Sequence, residues 1–197
     1  MRLIEPASYQ ALVARRREEL RVKIPQFLAP GDSFVWEVGS GHGHFLTAYA
    51  AAHPLTTCIG IDISAERVGR SVRKQQRSHL KNLHFILAGA DDFLASMPPD
   101  SRISALYILF PDPWPKRRHH KNRLIQPAFL SAAAAAAIEG APLYFRTDHE
   151  PYFRDAEAII RGHRAWECSG DTQLPFEEPT VFQKRAPRHF TLVATRS

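Results

Sequence analysis

Cysteine is almost missing from this chain: its 197 residues include two, Cys58 and Cys168, far apart and in apolar or mixed surroundings. They lack the close spacing of a zinc-ligand pair, and two distant thiols make no disulfide framework. Buried free thiols in a cytoplasmic protein, with no metal, are the expectation. Long apolar runs are missing too. Nothing approaches the roughly 18 uninterrupted apolar residues that mark a membrane-crossing helix, so no membrane partner is expected. The opening MRLIEPASYQALVARRREEL has no apolar block followed by a small-residue cleavage site, which argues against a secretory signal. No internal repeat or low-complexity linker divides the chain, and a single domain over residues 1–197 is expected.

An acidic excess is absent as well. Lys and Arg number 26 against 20 Asp and Glu, a net charge of +6, and the pI is about 9.6. Hydrophobic residues make up 44%, too many for a disordered chain and enough for a full core. The basic residues gather at Arg15 to Lys23, along Arg67 to Lys81 and at Lys116 to Arg123. Such clustering is the footprint of a nucleic-acid binder, although solvated helix faces would explain the first two clusters equally well.

Short apolar runs alternate with helical stretches. Ser33 to Val38 (SFVWEV), Cys58 to Ile63 (CIGIDI), Leu83 to Ala88 (LHFILA), Ile103 to Phe110 (ISALYILF) and Leu143 to Thr147 (LYFRT) predict buried strands. Helices are expected at 6–23, 44–52, from the N-cap Ser64 to about Leu80, at 91–96, at 126–138 and from about Pro151 to Gly162. Ala165 to Ser169 and His189 to Thr195 predict an antiparallel hairpin at the sheet edge, joined by a long loop. The alternation predicts an α/β fold: a doubly wound, Rossmann-like, mostly parallel sheet with helices on both faces.

Gly39, Gly41 and Gly43 follow the first strand in the run EVGSGHG and open a helix. Glycines there let the backbone turn tightly beside a ligand, at the strand ends where open α/β sheets bind. NAD, FAD or S-adenosylmethionine would each suit such a turn. Three details favour S-adenosylmethionine. The spacing is G-x-G-x-G, without the last interval of the dinucleotide fingerprint. Glu37 precedes the glycines, where it would repel a pyrophosphate and attract a sulfonium or amine. Asp62 ends the second strand, at roughly the 20-residue interval from which an acid meets ribose hydroxyls.

The run FPDPWPKRRHHKNR, 110–123, places Asp112 at the end of the most apolar strand, between two prolines and beside Trp114. The prolines stiffen the backbone. Trp114 is expected to anchor in the core rather than stack on a base. Lys116, Arg118 and Lys121, with the rest of 116–123, are expected to hold phosphates, and His119 and His120 to make polar contacts with the same polyanion. A rigid acid beside a basic loop suits chemistry on a base within a polyanion.

These motifs, in this order, resemble the bacterial tRNA (guanine-N7)-methyltransferases, whose central motif reads FPDPW followed by basic residues and histidines. The resemblance runs from Phe34 to Arg185. It implies the class I methyltransferase type of fold, S-adenosylmethionine as cofactor, and tRNA as partner, methylated at N7 of guanine 46 in the variable loop. It implies that Glu37, Asp62 and the glycine loop contact the cofactor. The family's third cofactor acid, usually Asp followed by Ala, falls here on Gly89; Asp91, or the backbone amides of Gly89 and Ala90, are left for that contact. Asp112 would stabilise the charge that develops on guanine. Thr147-Asp148 matches a family Thr-Asp pair that contacts substrate. Thr180 to Arg185 resembles the family's substrate loop, with Gln183 in place of its glutamate; the alternative for Asp148 is an N-cap of the helix near Pro151, a role compatible with substrate contact. The N-terminal extension is short beside many members, which implies that an RNA-binding arm is missing. Activity on another RNA and a non-catalytic RNA-binding relative remain open, as do monomer and homodimer.

Overall fold

The protein is described by a computed structural model over residues 6–178 and 188–197. Its centre is a seven-stranded sheet in the order β3-β2-β1-β4-β5-β7-β6. The parallel strands are β1 (Ser33–Val38), β2 (Thr57–Asp62), β3 (Leu83–Leu87), β4 (Arg102–Leu109) and β5 (Pro142–Thr147). β7 (Phe190–Arg196) runs antiparallel between β5 and the short β6 (Trp166–Cys168). The C-terminal antiparallel pair is therefore present as expected, with its longer strand inside. The helices are α1 (Pro6–Lys23), α2 (His44–Ala52), α3 (Ala65–Ser78), α4 (Ala90–Leu94), α5 (Pro127–Ala136) and α6 (Glu150–Arg161). No described helix is long and apolar enough to cross a membrane.

The strands form because their runs are apolar on both sides, as parallel strands covered by helices must be. In β1 every residue after Ser33 is buried. Side chains alternate between two cores. Phe34, Trp36 and Val38 join Ile108 and the Ala-rich face of α5 in one core, whereas Val35, Tyr107 and Leu109 meet Phe45 and Leu46 of α2 in the other. The second core is completed by Leu174, with Phe176 packed against it. Ser64 caps α3 as expected, its hydroxyl accepting the Arg67 amide.

Some boundaries move for long-range reasons. α5 stops at Ala136, short of Ile138, because Ala137 bridges to Ile103 and the Ile138 amide donates to the Ile103 carbonyl. The basic run, expected as a loop, winds into a 3-10 helix at Arg117–Asn122. The strand order reverses between β1 and β4. In open α/β sheets the crevice at that reversal, outside the carboxyl ends of the strands, is the ligand site.

Candidate active site

A cavity of about 420 Å³ opens at the reversal. Glu37, Gly39, Gly41, Asp62, Ala90, Asp112 and Asp148 all stand on its wall, brought there from the ends of β1, β2, β3, β4 and β5, whereas Gly43 is not on it. Two other depressions, along α1 (about 660 Å³) and between α4 and α5 (about 500 Å³), lie away from the carboxyl ends of the strands.

Gly39, Gly41 and Gly43 all have positive φ, at 79°, 54° and 68°. The loop is pinned from β2: the Gly39 and Ser40 amides both donate to the Ile61 carbonyl at 2.9 Å. Gly43 is required twice over. A Cβ there would lie 2.4 Å from Phe85 Cζ and 2.9 Å from Ser71 Cβ, besides the strain of its φ. Gly41 differs, since a Cβ there would meet nothing closer than the Gly39 carbonyl oxygen at 4.0 Å.

The two strand-end acids are in opposite states. Asp62 Oδ2 accepts the Gly41 amide at 3.0 Å and Oδ1 accepts the Ser64 amide at 2.8 Å, with Arg67 at 3.7 Å. Asp62 thus holds the loop in shape. Glu37 is 3% exposed, and its Oε2 has no hydrogen-bond partner among the described residues. Burial first, then the charge of Asp62, pushes its pKa up to about 8. A buried carboxyl with one open oxygen, on a cavity wall, is a fit for the amine or sulfonium of S-adenosylmethionine. The buried Ser40 hydroxyl, also unpartnered among the described residues, adds a second polar group on that wall.

The three residues expected at a third cofactor contact are placed differently. Gly89 is the N-cap of α4 and Ala90 stands on the cavity wall. Asp91 is exposed and lines the depression between α4 and α5 instead, one residue round the helix. Ile63, which the sequence reading passed over, is 78% exposed at the cavity wall. A large apolar side chain left open beside two acids suits a flat ring.

After β4 the backbone is strained on both sides of Pro-Asp-Pro. Phe110 and Trp114 have φ of 52° and 44°, although neither is glycine. Phe110 is held there by its amide, which donates to the Arg146 carbonyl at 2.7 Å. Asp112 is left exposed on the cavity wall. Trp114 corrects the expectation of a core anchor. It belongs to neither core, and its half-buried ring meets His119 edge to face at 5.8 Å.

Lys116, Arg118 and Lys121 are exposed on the 3-10 helix and its approach, with Arg118 Nε donating to His119 Nε2 at 3.2 Å. Arg123 is not: it is 4% exposed and bound to Pro113 and Asp155. His120 turns inward as well, with Nδ1 3.7 Å from Asp155. Asp148 is exposed on the cavity wall, and the cap of α6 falls to His149, whose Nδ1 accepts the Tyr152 amide at 3.1 Å. That answers the N-cap alternative for Asp148. Thr180 and Gln183 lie outside the described residues. Sequence reading also missed Arg146, 2% exposed, which grips both oxygens of Glu177 at 2.7 and 2.8 Å and donates to the Thr191 hydroxyl. One arginine in an apolar strand gave no signal for that fork.

Residues 32–187 match the model of a family described as putative methyltransferase. The tRNA (guanine-N(7)-)-methyltransferase of Alkalilimnicola ehrlichii is 38% identical over 118 residues, 60% of this chain and 50% of that protein. That of Treponema pallidum is 34% identical over 152 residues, 77% of this chain and 61% of that protein. The chain thus spans about half to three-fifths of the length of these relatives. Among solved structures, an rRNA methylase from Streptococcus thermophilus aligns over 100% of this chain and 99% of its own, with a TM-score of 0.57 and 14% identity. A putative methyltransferase from Streptococcus mutans, solved in complex with SAH, covers 91% of this chain and 97% of its own at a TM-score of 0.55 and 12% identity. These two show the shared fold, and the expected class I methyltransferase architecture is borne out.

Proposed function

The chain belongs to this methyltransferase family, and from that premise we propose that it transfers a methyl group from S-adenosylmethionine to N7 of a guanine in tRNA, position 46 of the variable loop. The observation that carries the reading is the shared cavity: Glu37 with its open oxygen, Asp112 on the same wall, and a basic helix five residues further on. The similarity to tRNA (guanine-N(7)-)-methyltransferases supports the choice of base and RNA. This reading implies a cytoplasmic protein.

Glu37 and Ser40 would hold the amino-acid end of the cofactor. Gly39, Gly41 and Gly43 let the backbone approach it, and Asp62 keeps that loop in shape. Ile63 and the backbone of Gly89 and Ala90 would receive the adenine side. Asp91, which lines the other depression, is assigned no contact in this reading. When bound, S-adenosylmethionine supplies an electrophilic methyl carbon on a cationic sulfur. Guanine N7 carries a free lone pair, so no general base is needed. The base becomes cationic, and the Asp112 carboxylate stabilises that developing charge. The rest of the rate comes from alignment, which a stiff Pro-Asp-Pro turn favours. Lys116, Arg118 and Lys121 would hold phosphates without reading sequence, and Asp148, Thr180 and Gln183 would contact the nucleotide.

Transfer of label from S-adenosylmethionine to unmodified tRNA, with the product nucleoside identified, tests the reading. 7-Methylguanosine at one position is the expected product. Labelling of a different RNA, or a different nucleoside, would replace it; no transfer to any RNA would leave a non-catalytic binder.

A further inference from the structure

One cation in the basic run does not face water. Lys116, Arg117, Arg118 and Lys121 are exposed, whereas Arg123 is 4% exposed. Its guanidinium makes three contacts with two separate parts of the chain, the turn at Pro113 and the helix α6. Nε donates to the Pro113 carbonyl at 2.8 Å. A terminal nitrogen donates to the carboxylate of Asp155 on α6. The guanidinium carbon lies 4.7 Å from the centroid of the Tyr152 ring, also on α6. The Arg123 amide closes the 3-10 helix by donating to the His120 carbonyl at 3.0 Å. The Tyr152 hydroxyl accepts the Ile125 amide at 3.3 Å, so one residue of α6 holds the chain on both sides of Leu124.

We infer that Arg123 is a positioning residue that ties the Pro113 carbonyl to α6 and so keeps the Asp112 turn and the basic helix in one fixed relation. A charge wanted only for phosphate would stay in water, as Lys121 does, because burying a guanidinium is costly unless it is paired. The like charges at 116, 117, 118 and 121 repel one another and would spread the segment if its ends were not tied. Pro113 sits between Asp112 and the strained Trp114, so a shift of its carbonyl moves the carboxylate. Arginine is specifically suited here. Its planar fork meets a carbonyl and a carboxylate while its face covers a ring, which a lysine ammonium cannot do.

The catalytic arm of this inference rests on the methyl-transfer reading, but its structural arm does not. Trp114 reports on the turn directly, since the other two of the three tryptophans, Trp36 and Trp166, are buried. Arg123→Lys is compared with the wild-type protein by acrylamide quenching of tryptophan emission, by calorimetry with S-adenosylmethionine and by single-turnover methylation of tRNA. The clamp predicts that quenching rises about twofold or more and the rate falls about tenfold to a hundredfold, the cost of misplacing a reacting group by about an ångström. Cofactor affinity stays within about twofold, because no cofactor-side residue is touched. Unchanged quenching in a folded Arg123→Lys protein overturns the inference, whatever the rate. Should Arg123→Lys fail to fold, Asp155→Ala decides by the same readings, since Asp155 is half exposed and its loss frees one end of the clamp; wild-type quenching there overturns it too. If wild-type protein methylates no RNA, the functional reading fails while the quenching comparison still decides on the clamp.

Discussion

Glu37 and Asp62 end neighbouring parallel strands, yet Asp62 has both carboxylate oxygens bound by backbone amides while Glu37 keeps one oxygen unpartnered among the described residues. One acid shapes the loop; the other is left in a state that a cation would relieve.

The first prediction follows from that state. The Glu37 pKa is raised from 4.5 to about 8 by burial and by Asp62. A raised acid holds its proton longer in the folded protein than in the unfolded chain. Its contribution therefore favours folding at low pH and is lost as pH rises from about 4.5 to about 8. A cationic ligand favours the ionised form, so binding S-adenosylmethionine below pH 8 should release a proton. Affinity should rise with pH and level off near 8, with net proton release seen by calorimetry in buffers of different ionisation heat. Glu37→Gln should flatten both the affinity profile and the proton release. A wild-type affinity that does not vary between pH 6 and 8 would contradict the assignment.

The second prediction separates two glycines. Gly43→Ala should destabilise the fold by about 2–4 kcal/mol, since its Cβ would overlap Phe85 and Ser71 at a left-handed φ. Gly41→Ala has room in the protein and should cost only about 1–2 kcal/mol of backbone strain. Its Cβ would project where the cofactor is proposed to sit, so its affinity loss should be the larger of its two effects. Urea unfolding and calorimetry on both variants check this order.

Asp112→Asn tests the charge-stabilising role. It keeps shape and hydrogen bonding and removes the charge. Single-turnover methylation should fall by about a hundredfold or more, with cofactor affinity little changed. An equal fall in affinity would make Asp112 a cofactor ligand instead.

The basic helix is tested by salt. Neutralising Lys116, Arg118 and Lys121 together should weaken tRNA binding across sequences. It should also flatten the plot of log affinity against log salt by roughly one unit for each lost phosphate contact. An unchanged slope would make these three a solvated face.

Much of the fold was legible because it is set locally. SFVWEV and CIGIDI are short, apolar and bounded; the first folds as β1, buried after Ser33, and the second lies in β2 up to Asp62, with Ile63 beyond the strand and exposed. Ser64 sits where a cap is wanted and serves as one. What was not legible depends on contacts distant in sequence. α5 ends where β4 takes its next residues. Arg123 looks like its neighbours in a charge run, and only the approach of α6 makes it a buried tie. Asp148 resembles a helix cap more than His149 does by residue preference, yet the imidazole holds the cap and the carboxylate stays on the cavity wall. Glu37 and Asp62 were legible as cavity-wall acids from their place at strand ends. That Asp91 lines the depression between α4 and α5 was not legible, because it depends on the turn of α4.

The placement of β7 bears on how the protein behaves in concentrated solution. Its run FTLVATR is apolar, rich in β-formers and seven residues long, the sort of segment that templates intermolecular sheet when its edge is bare. β5 covers one of its edges. Part of the other is covered by β6, three residues with the exposed Glu167 at their centre. Along Ala194–Arg196 the sheet therefore presents on this flank a strip too short and too charged to recruit another chain. Loosening Trp166–Cys168 should show first as aggregation rather than as lost catalysis.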